Sequence, residues 1–163
     1  MKRFEVLERA RHAAILARAI PQPIIYVLGK GGFDPGRHVP WNRAGECDCS
    51  GFLAWTIREP REHPALAWIE STNVFRDATG PQVMFMTLPA GERAEPGDVL
   101  VTPDKGDRQG HVAIITAVAP DGAPSRMIDC SPSNDRVGAA IAERQIPPAF
   151  GSAATVVRLR GIH

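Results

Sequence analysis

Residues 48–52, with the sequence DCSGF, place a thiol where a helix is predicted to begin. Asp48 is a favoured N-cap residue, and the apolar residues from Phe52 onward supply the buried side of the helix that would follow. Unpaired backbone N–H groups and the positive end of the helix dipole would favour a thiolate at Cys49, and the thiolate is the nucleophilic form of cysteine. Cys49 is therefore a candidate nucleophile, although a small buried cysteine at a helix start gives the same pattern.

A second chemical group, the imidazole of His111, lies at the start of a predicted strand, and a carboxylate, Asp129, lies on the next predicted strand. The sequence APDGA at residues 119–123 is typical of a three-residue hairpin loop with a type I turn and a left-handed glycine. Such a loop pairs Ala113 with Asp129. Because side chains alternate between the two faces of a strand, His111 and Asp129 then become diagonal neighbours on one face.

The type of hairpin loop decides this arrangement. A tight two-residue turn at Asp121 and Gly122 would shift the pairing by one residue and send Asp129 to the other face of the sheet. With the longer loop, Cys130 points to the opposite face, where we expect it to fill the core.

A thiolate, a histidine and a carboxylate that orients the histidine are the groups that nucleophilic acyl transfer requires. His111 would take the thiol proton and later protonate the leaving amine, while Asp129 would fix the tautomer of the ring. Backbone N–H groups at the start of the Cys49 helix would stabilise the oxyanion of the tetrahedral intermediate. We expect no cofactor and no metal in this chemistry.

Helices are predicted in the first part of the chain and strands in the second. Apolar residues at three- and four-residue spacing predict a helix over residues 3–19 with an apolar face of Phe4, Leu7, Ala10, Ala14 and Ala17. A further short helix would be capped by Ser71 or Thr72. After Pro96, β-branched runs predict strands at residues 99–101, 111–118, 127–130 and 154–159. This order favours an α+β fold in which the nucleophile helix packs on an antiparallel β-sheet.

The composition of the chain narrows the classes of partner. The 163 residues carry a formal net charge of +1 at pH 7, which gives no electrostatic reason to expect nucleic acid as a partner. Charged residues interrupt the apolar run near the amino terminus that a secretory signal would need, and no segment reaches the length of a membrane span. We therefore expect one domain over residues 1–163, cytoplasmic as encoded and without membrane insertion.

Four short motifs follow one another along the chain, and a polar residue, Asp129, follows them. The motifs are Tyr26 with the glycines at 31–32, DCSG at 48–51, PGD at 96–98 and GHV at 110–112. Their order resembles the NlpC family of cell-wall cysteine peptidases, which have a papain-like fold. The resemblance implies a single NlpC-like catalytic domain, but the third catalytic residue of that family is usually His, sometimes Asn or Gln, and here it is Asp129.

The resemblance also implies an activity, which is that of a γ-D-glutamyl-diamino acid endopeptidase acting on peptidoglycan stem peptides. The catalytic residues would be Cys49, His111 and Asp129. The expected partner is a peptidoglycan fragment or muropeptide, which the protein would meet in the cytoplasm or after delivery to the cell wall by a phage or a secretion system.

Family members that select a free L-Ala amino terminus hold its amine with a Tyr and with the Asp and Ser beside the nucleophile. Tyr26, Asp48 and Ser50 match these residues in this sequence. Helix capping alone would also account for Asp48. His38, in the loop before Cys49, is a further candidate for the lining of a substrate groove.

Three alternatives stay open at this stage. The related CHAP group of peptidoglycan amidases and endopeptidases also has a Gly-His-Val strand. A wall-binding or phage-tail module could keep the fold without the chemistry. The third alternative is a zinc site, in which Cys47 and Cys49 would be separated by one residue rather than by the usual two to four. Its four ligands would be Cys47, Cys49, His111 and Cys130.

Overall fold

A computed structural model describes residues 2–161, except for the side chains of residues 135–137. Helices and an antiparallel sheet are combined as the sequence predicted. The four α-helices of this part of the chain are α1 (Arg3–Ala19), α2 (Cys49–Thr56), α3 (Ser71–Thr79) and α4 (Pro148–Ala153), and a 3-10 helix spans Pro132–Val137. The predicted bounds of α1 and the predicted start of α2 are confirmed.

The sheet has six strands, all paired antiparallel, in the order β3-β8-β4-β5-β6-β7. These strands are β3 (Phe85–Thr87), β4 (Val99–Thr102), β5 (His111–Val118), β6 (Pro124–Cys130), β7 (Ile141–Gln145) and β8 (Thr155–Leu159). Two further short strands, β1 (Ile25–Tyr26) and β2 (Glu46–Cys47), form a separate parallel pair just before α2.

Helix α2 is buried along its whole length and packs on β5 and β6. Its large side chains Phe52, Leu53 and Trp55 join the core on one face of the sheet, together with Val112, Ile114 and Cys130. A second, smaller apolar cluster on the other face contains Ala113, Ile115 and Met127. The two clusters show the alternation of side chains along β5 and β6, and they place Cys130 in the core as predicted.

Helix α1 covers the same core with a stripe of small residues. Its buried positions are Val6, Ala10, Ala13, Ala14 and Ala17, and the small side chains let the helix lie close to β5 and β7. The predicted apolar face also included Phe4, but this side chain is 53% exposed. The buried stripe begins two residues later, at Val6.

Glycines allow the loop after β1 to touch the first turn of α2. A Cβ atom on Gly51 would lie 2.5 Å from the carbonyl oxygen of Lys30 and 2.7 Å from that of Gly31, and a Cβ on Gly32 would collide with the backbone of Gly51. Only hydrogen at these positions permits so close an approach. The glycines of two of the sequence motifs are therefore needed where the loop meets the helix.

The chain between α2 and β4 departs from its prediction in two ways. Helix α3 is capped by Glu70, whose side chain accepts a hydrogen bond from the amide of Asn73, and not by Ser71 or Thr72. Strand β3 was not predicted because it has only three residues, of which one, Thr87, is β-branched. Asp77 holds it in place by accepting hydrogen bonds from the amides of Val83, Met84 and Phe85. In residues 2–161, no helix is both long and apolar enough to cross a membrane.

Candidate active site

Asp48 caps helix α2, as the sequence predicted. One oxygen of its carboxylate accepts a hydrogen bond from the amide of Gly51 at 2.6 Å and from the hydroxyl of Ser50 at 3.2 Å. Within the described part of the chain, the backbone amides of Cys49 and Ser50 donate to no acceptor. The helix therefore begins with two unused N–H donors beside the sulfur of Cys49, where an oxyanion could be bound.

The hairpin between β5 and β6 has the predicted loop. The amide of Ala119 donates to the carbonyl of Ala123 at 2.8 Å, and Gly122 has a φ of +87°. Ile114 pairs with Ile128, which is the register that sets Asp129 opposite Ala113. Irregularities within the hairpin, between residues 115 and 118, leave this register unchanged near the site.

His111 and Asp129 consequently meet on one face of the sheet. Nε2 of His111 lies 2.8 Å from a carboxylate oxygen of Asp129, and the Asp129 side chain is fully buried. This contact leaves Nδ1 of the ring for the sulfur of Cys49. The edge of the His111 ring also meets the ring of Phe150 in α4, with centroids 5.3 Å apart.

Asp129 has two further partners that the sequence did not indicate. Arg144 on β7 donates two hydrogen bonds to its carboxylate, from Nε at 3.1 Å and from a terminal nitrogen at 2.5 Å. The side-chain amide of Asn134 donates to the same carboxylate at 2.9 Å. Burial alone would raise the pKa of Asp129, but the hydrogen bonds and charges of His111 and Arg144 hold it below its usual range. Asp129 is therefore ionised at neutral pH.

The protonation of His111 depends on both of its neighbours. Burial lowers the pKa of the ring, but hydrogen bonds to Asp129 and Cys49, with the negative charges of both groups, raise it to about 9. An imidazolium beside a thiolate is the arrangement that activates a cysteine nucleophile. The geometry thus brings together the three residues that the sequence predicted.

We expect the His111 ring to titrate near pH 9 in a proton NMR experiment, and Cys49→Ala to lower this midpoint because one hydrogen bond and one charge are lost. Since the pKa lies above the ordinary value of 6.5, charged His111 stabilises the fold fully below pH 6.5. That contribution is lost as the pH rises through about 9. If Cys49→Ala left the midpoint of the His111 titration unchanged, this would contradict the contact between His111 and Cys49.

A groove of about 510 Å³ runs past the sulfur of Cys49. It is lined by Leu28, Gly29, Cys49, Ser50, Arg61, Trp68, Glu70, Ser71, Asn73, Asp104, Gln109 and Gly110. Five of these residues come from the segment between α2 and the end of α3, in which no site residue was predicted. This segment forms one wall of the groove and so faces any ligand that reaches Cys49.

Tyr26 lies close to Cys49 without forming part of this lining. Its hydroxyl accepts a hydrogen bond from the side chain of Gln109 at 2.7 Å. Burial and, next, the charge of Cys49 raise the pKa of Tyr26 above its usual range. The phenol is therefore protonated at neutral pH and has a hydrogen to donate.

Asp48 and Ser50 are already occupied by a cation of the protein itself. A terminal nitrogen of Arg61 donates to Asp48 at 2.6 Å and to the hydroxyl of Ser50 at 2.8 Å. The amide of Gly29 donates to the same oxygen of Asp48. A substrate ammonium could reach the Asp48 carboxylate only by displacing one of these donors, because Asp48 is fully buried.

The structure places His38 away from the other predicted contacts. It lines a different groove of about 470 Å³, beside Arg9 and Trp55 at the far end of α2. Trp41, in the same loop, is 7% exposed and belongs to the core. In this arrangement His38 does not face Cys49.

The other two cysteines belong to the core. Cys47 and Cys130 are free, fully buried thiols, and the sulfur of Cys130 donates to the carbonyl of Cys47 at 3.3 Å. Among the described residues, no group of three or more His, Cys, Asp or Glu side chains could hold a metal ion. The four residues of the zinc alternative, all of them described, do not form a ligand set.

Comparison of the chain with protein-family models finds no match, and comparisons with curated proteins and with solved structures find none either. The chemistry of the chain is therefore inferred from the geometry of this site and from the order of its motifs.

Proposed function

We propose that the protein is a cysteine peptidase with a papain-like fold that hydrolyses peptidoglycan stem peptides at the γ-D-glutamyl-diamino acid bond. One observation carries the enzymatic part of the proposal: His111, hydrogen-bonded to a buried carboxylate, faces a cysteine at the first position of a helix. The choice of substrate rests on the four motifs that occur in the order of the NlpC family.

The reaction begins with the ion pair of the Cys49 thiolate and the His111 imidazolium. The sulfur attacks the carbonyl carbon of the scissile amide, and the carbonyl oxygen becomes an oxyanion. The unused amides of Cys49 and Ser50 are suitable donors to that oxyanion. His111 then gives its proton to the leaving amine, which departs and leaves the acyl group on Cys49.

Water completes the cycle. His111, now neutral, takes a proton from a water molecule, which attacks the thioester and releases the acid with the free thiolate. Asp129 keeps Nε2 of the ring occupied throughout, so that Nδ1 stays directed at the reacting atoms. Apart from this water molecule, each step needs only side-chain and backbone groups of the site.

The substrate would lie in the groove beside Cys49. The family resemblance implies that the phenol of Tyr26 and the hydroxyl of Ser50 contact the bound peptide, and Ser50 lines the groove. Trp68 also lines the groove and offers an apolar surface to the peptide. An amine of the substrate would have to compete with Arg61 for the carboxylate of Asp48.

Defined muropeptides provide the test of this function. We expect mass spectrometry to show products cut after D-Glu with the wild-type protein and with Cys130→Ala, which alters a core thiol that points away from the face of the sheet carrying His111 and Asp129. Cys49→Ala should yield no such products. Release of L-Ala from muramic acid would instead identify a CHAP-like amidase, and absence of any cleavage would favour a non-catalytic module.

Asp129→Asn is expected to lower kcat by about 10²- to 10⁴-fold without abolishing turnover, because the residue acts only through His111. The amide keeps the shape of the carboxylate but removes its charge. Steady-state kinetics on a cleaved muropeptide measures the effect. An unchanged rate would mean that the contact between His111 and Asp129 has no part in catalysis.

A further inference from the structure

Asp129 lies on β6 between two cations that belong to the neighbouring strands. The β6–β7 register pairs Asp129 with Ala142, which makes Arg144 its diagonal neighbour on the same face. On the other side, His111 of β5 is its diagonal neighbour through the Ile114–Ile128 register. The carboxylate is therefore shared between an imidazolium and a guanidinium.

The contact with Arg144 is stronger than an ordinary surface pair. Two nitrogens of one planar guanidinium bind the two oxygens of the carboxylate, and this bidentate geometry fixes the plane of the carboxylate as well as its position. Asp129 is fully buried and Arg144 is 27% exposed on its side chain. Asn134 contributes a neutral donor, so Arg144 supplies the only positive charge on Asp129 besides His111 within the described residues.

This geometry explains how a charged aspartate can orient His111 at a position where a neutral hydrogen-bond acceptor would be sufficient. If the carboxylate were bound to His111 alone, its full negative charge would stabilise the imidazolium, and the ring would hold its proton too firmly for transfer to a leaving group. The positive charge of Arg144 offsets part of that negative charge. The pair of Asp129 and Arg144 then acts on His111 more like a neutral hydrogen-bond acceptor.

We propose that Arg144 is a positioning residue that orients the Asp129 carboxylate and limits how firmly that carboxylate holds the proton of His111. The role of Arg144 in catalysis rests on the proposed function. The charged groups that face the His111 ring are Cys49 from α2 and Asp129 from β6, and Arg144 acts through the latter.

NMR titration of His111 tests the proposal without any substrate. Removing the guanidinium charge in Arg144→Gln should raise the midpoint of the His111 titration by about 0.5 to 1 pH unit. Arg144→Lys, which keeps the charge but loses the bidentate geometry, should restore most of the wild-type value. Arg126→Gln is the matched control, since Arg126 lies on β6 but binds Glu143 at 3.2 Å, and it should leave the midpoint unchanged.

The pH dependence of turnover provides the second measurement. In Arg144→Gln, the alkaline limb of the pH profile of kcat/KM should move to higher pH by the same amount as the NMR midpoint, while the maximal value of kcat/KM falls. General damage to the fold would lower the maximal kcat/KM without moving the alkaline limb to higher pH. An unchanged or lowered midpoint in Arg144→Gln, with a native spectrum, overturns the role of Arg144. Absence of stem-peptide cleavage by the wild-type protein overturns the proposed function instead, because the NMR titration can still show the shift.

Discussion

Replacing Cys49 with alanine is expected to lower kcat for stem-peptide hydrolysis by about 10⁶-fold, and replacing His111 with alanine should cost about as much. In the proposed mechanism both residues act in the same step, because the imidazolium would stabilise the thiolate that attacks. The double variant should therefore be no less active than either single variant. Steady-state kinetics with a single purified muropeptide measures all three rates.

A core cysteine offers the control for this prediction. Cys130→Ala removes a thiol of the same size, but this thiol points away from the His111 face and is fully buried. We expect a normal kcat and a small loss of stability in this variant. A Cys49→Ala protein with more than a residual rate would show that another nucleophile performs the reaction.

Arg61→Leu is expected to have the largest effect on stability, lowering the free energy of unfolding by about 3–5 kcal/mol. The guanidinium forms a buried ion pair with Asp48 at 2.6 Å, and both side chains are at most 3% exposed. It also donates to the carbonyls of Lys30 and Gly31. The substitution would leave a buried carboxylate without its cation and would free the glycine loop from α2.

Chemical denaturation of the purified variants measures this loss. Arg126→Leu provides a matched control, because it breaks the pair with Glu143, in which both side chains are partly exposed. We expect this control to lose less than about 1 kcal/mol. Equal losses in the two variants would show that the Arg61–Asp48 pair does not stabilise the start of α2.

Local sequence patterns were sufficient to predict the core of the site. Asp48 before an apolar run predicts the start of α2, since an N-cap needs only a short polar side chain at one position. The sequence of residues 119–123 predicts the hairpin loop, and the loop sets the register that brings His111 to Asp129. Both inferences depend on residues adjacent in the chain, and both are confirmed.

The supporting residues could not be found in this way. Arg61 lies in a loop between two prolines, and nothing near it in the sequence indicates that it would fold back on Asp48. Strand β7 contains Ala, Glu and Arg, which favour helices, so its pairing with β6 is decided by the tertiary structure rather than by local preference. Arg144 therefore gave no signal as a partner of Asp129, and Phe150 gave none as a neighbour of His111.

The covalent intermediate offers the most direct test of the central claim, that Cys49 attacks the γ-D-glutamyl carbonyl. A muropeptide is mixed with the protein, the reaction is stopped with acid within one turnover, and the mass of the intact protein is measured. We expect an added mass equal to the acyl fragment that ends in D-Glu, and peptide mapping should place it on Cys49. An adduct ending in the muramic acid acyl group, or one on any other residue, would contradict the account.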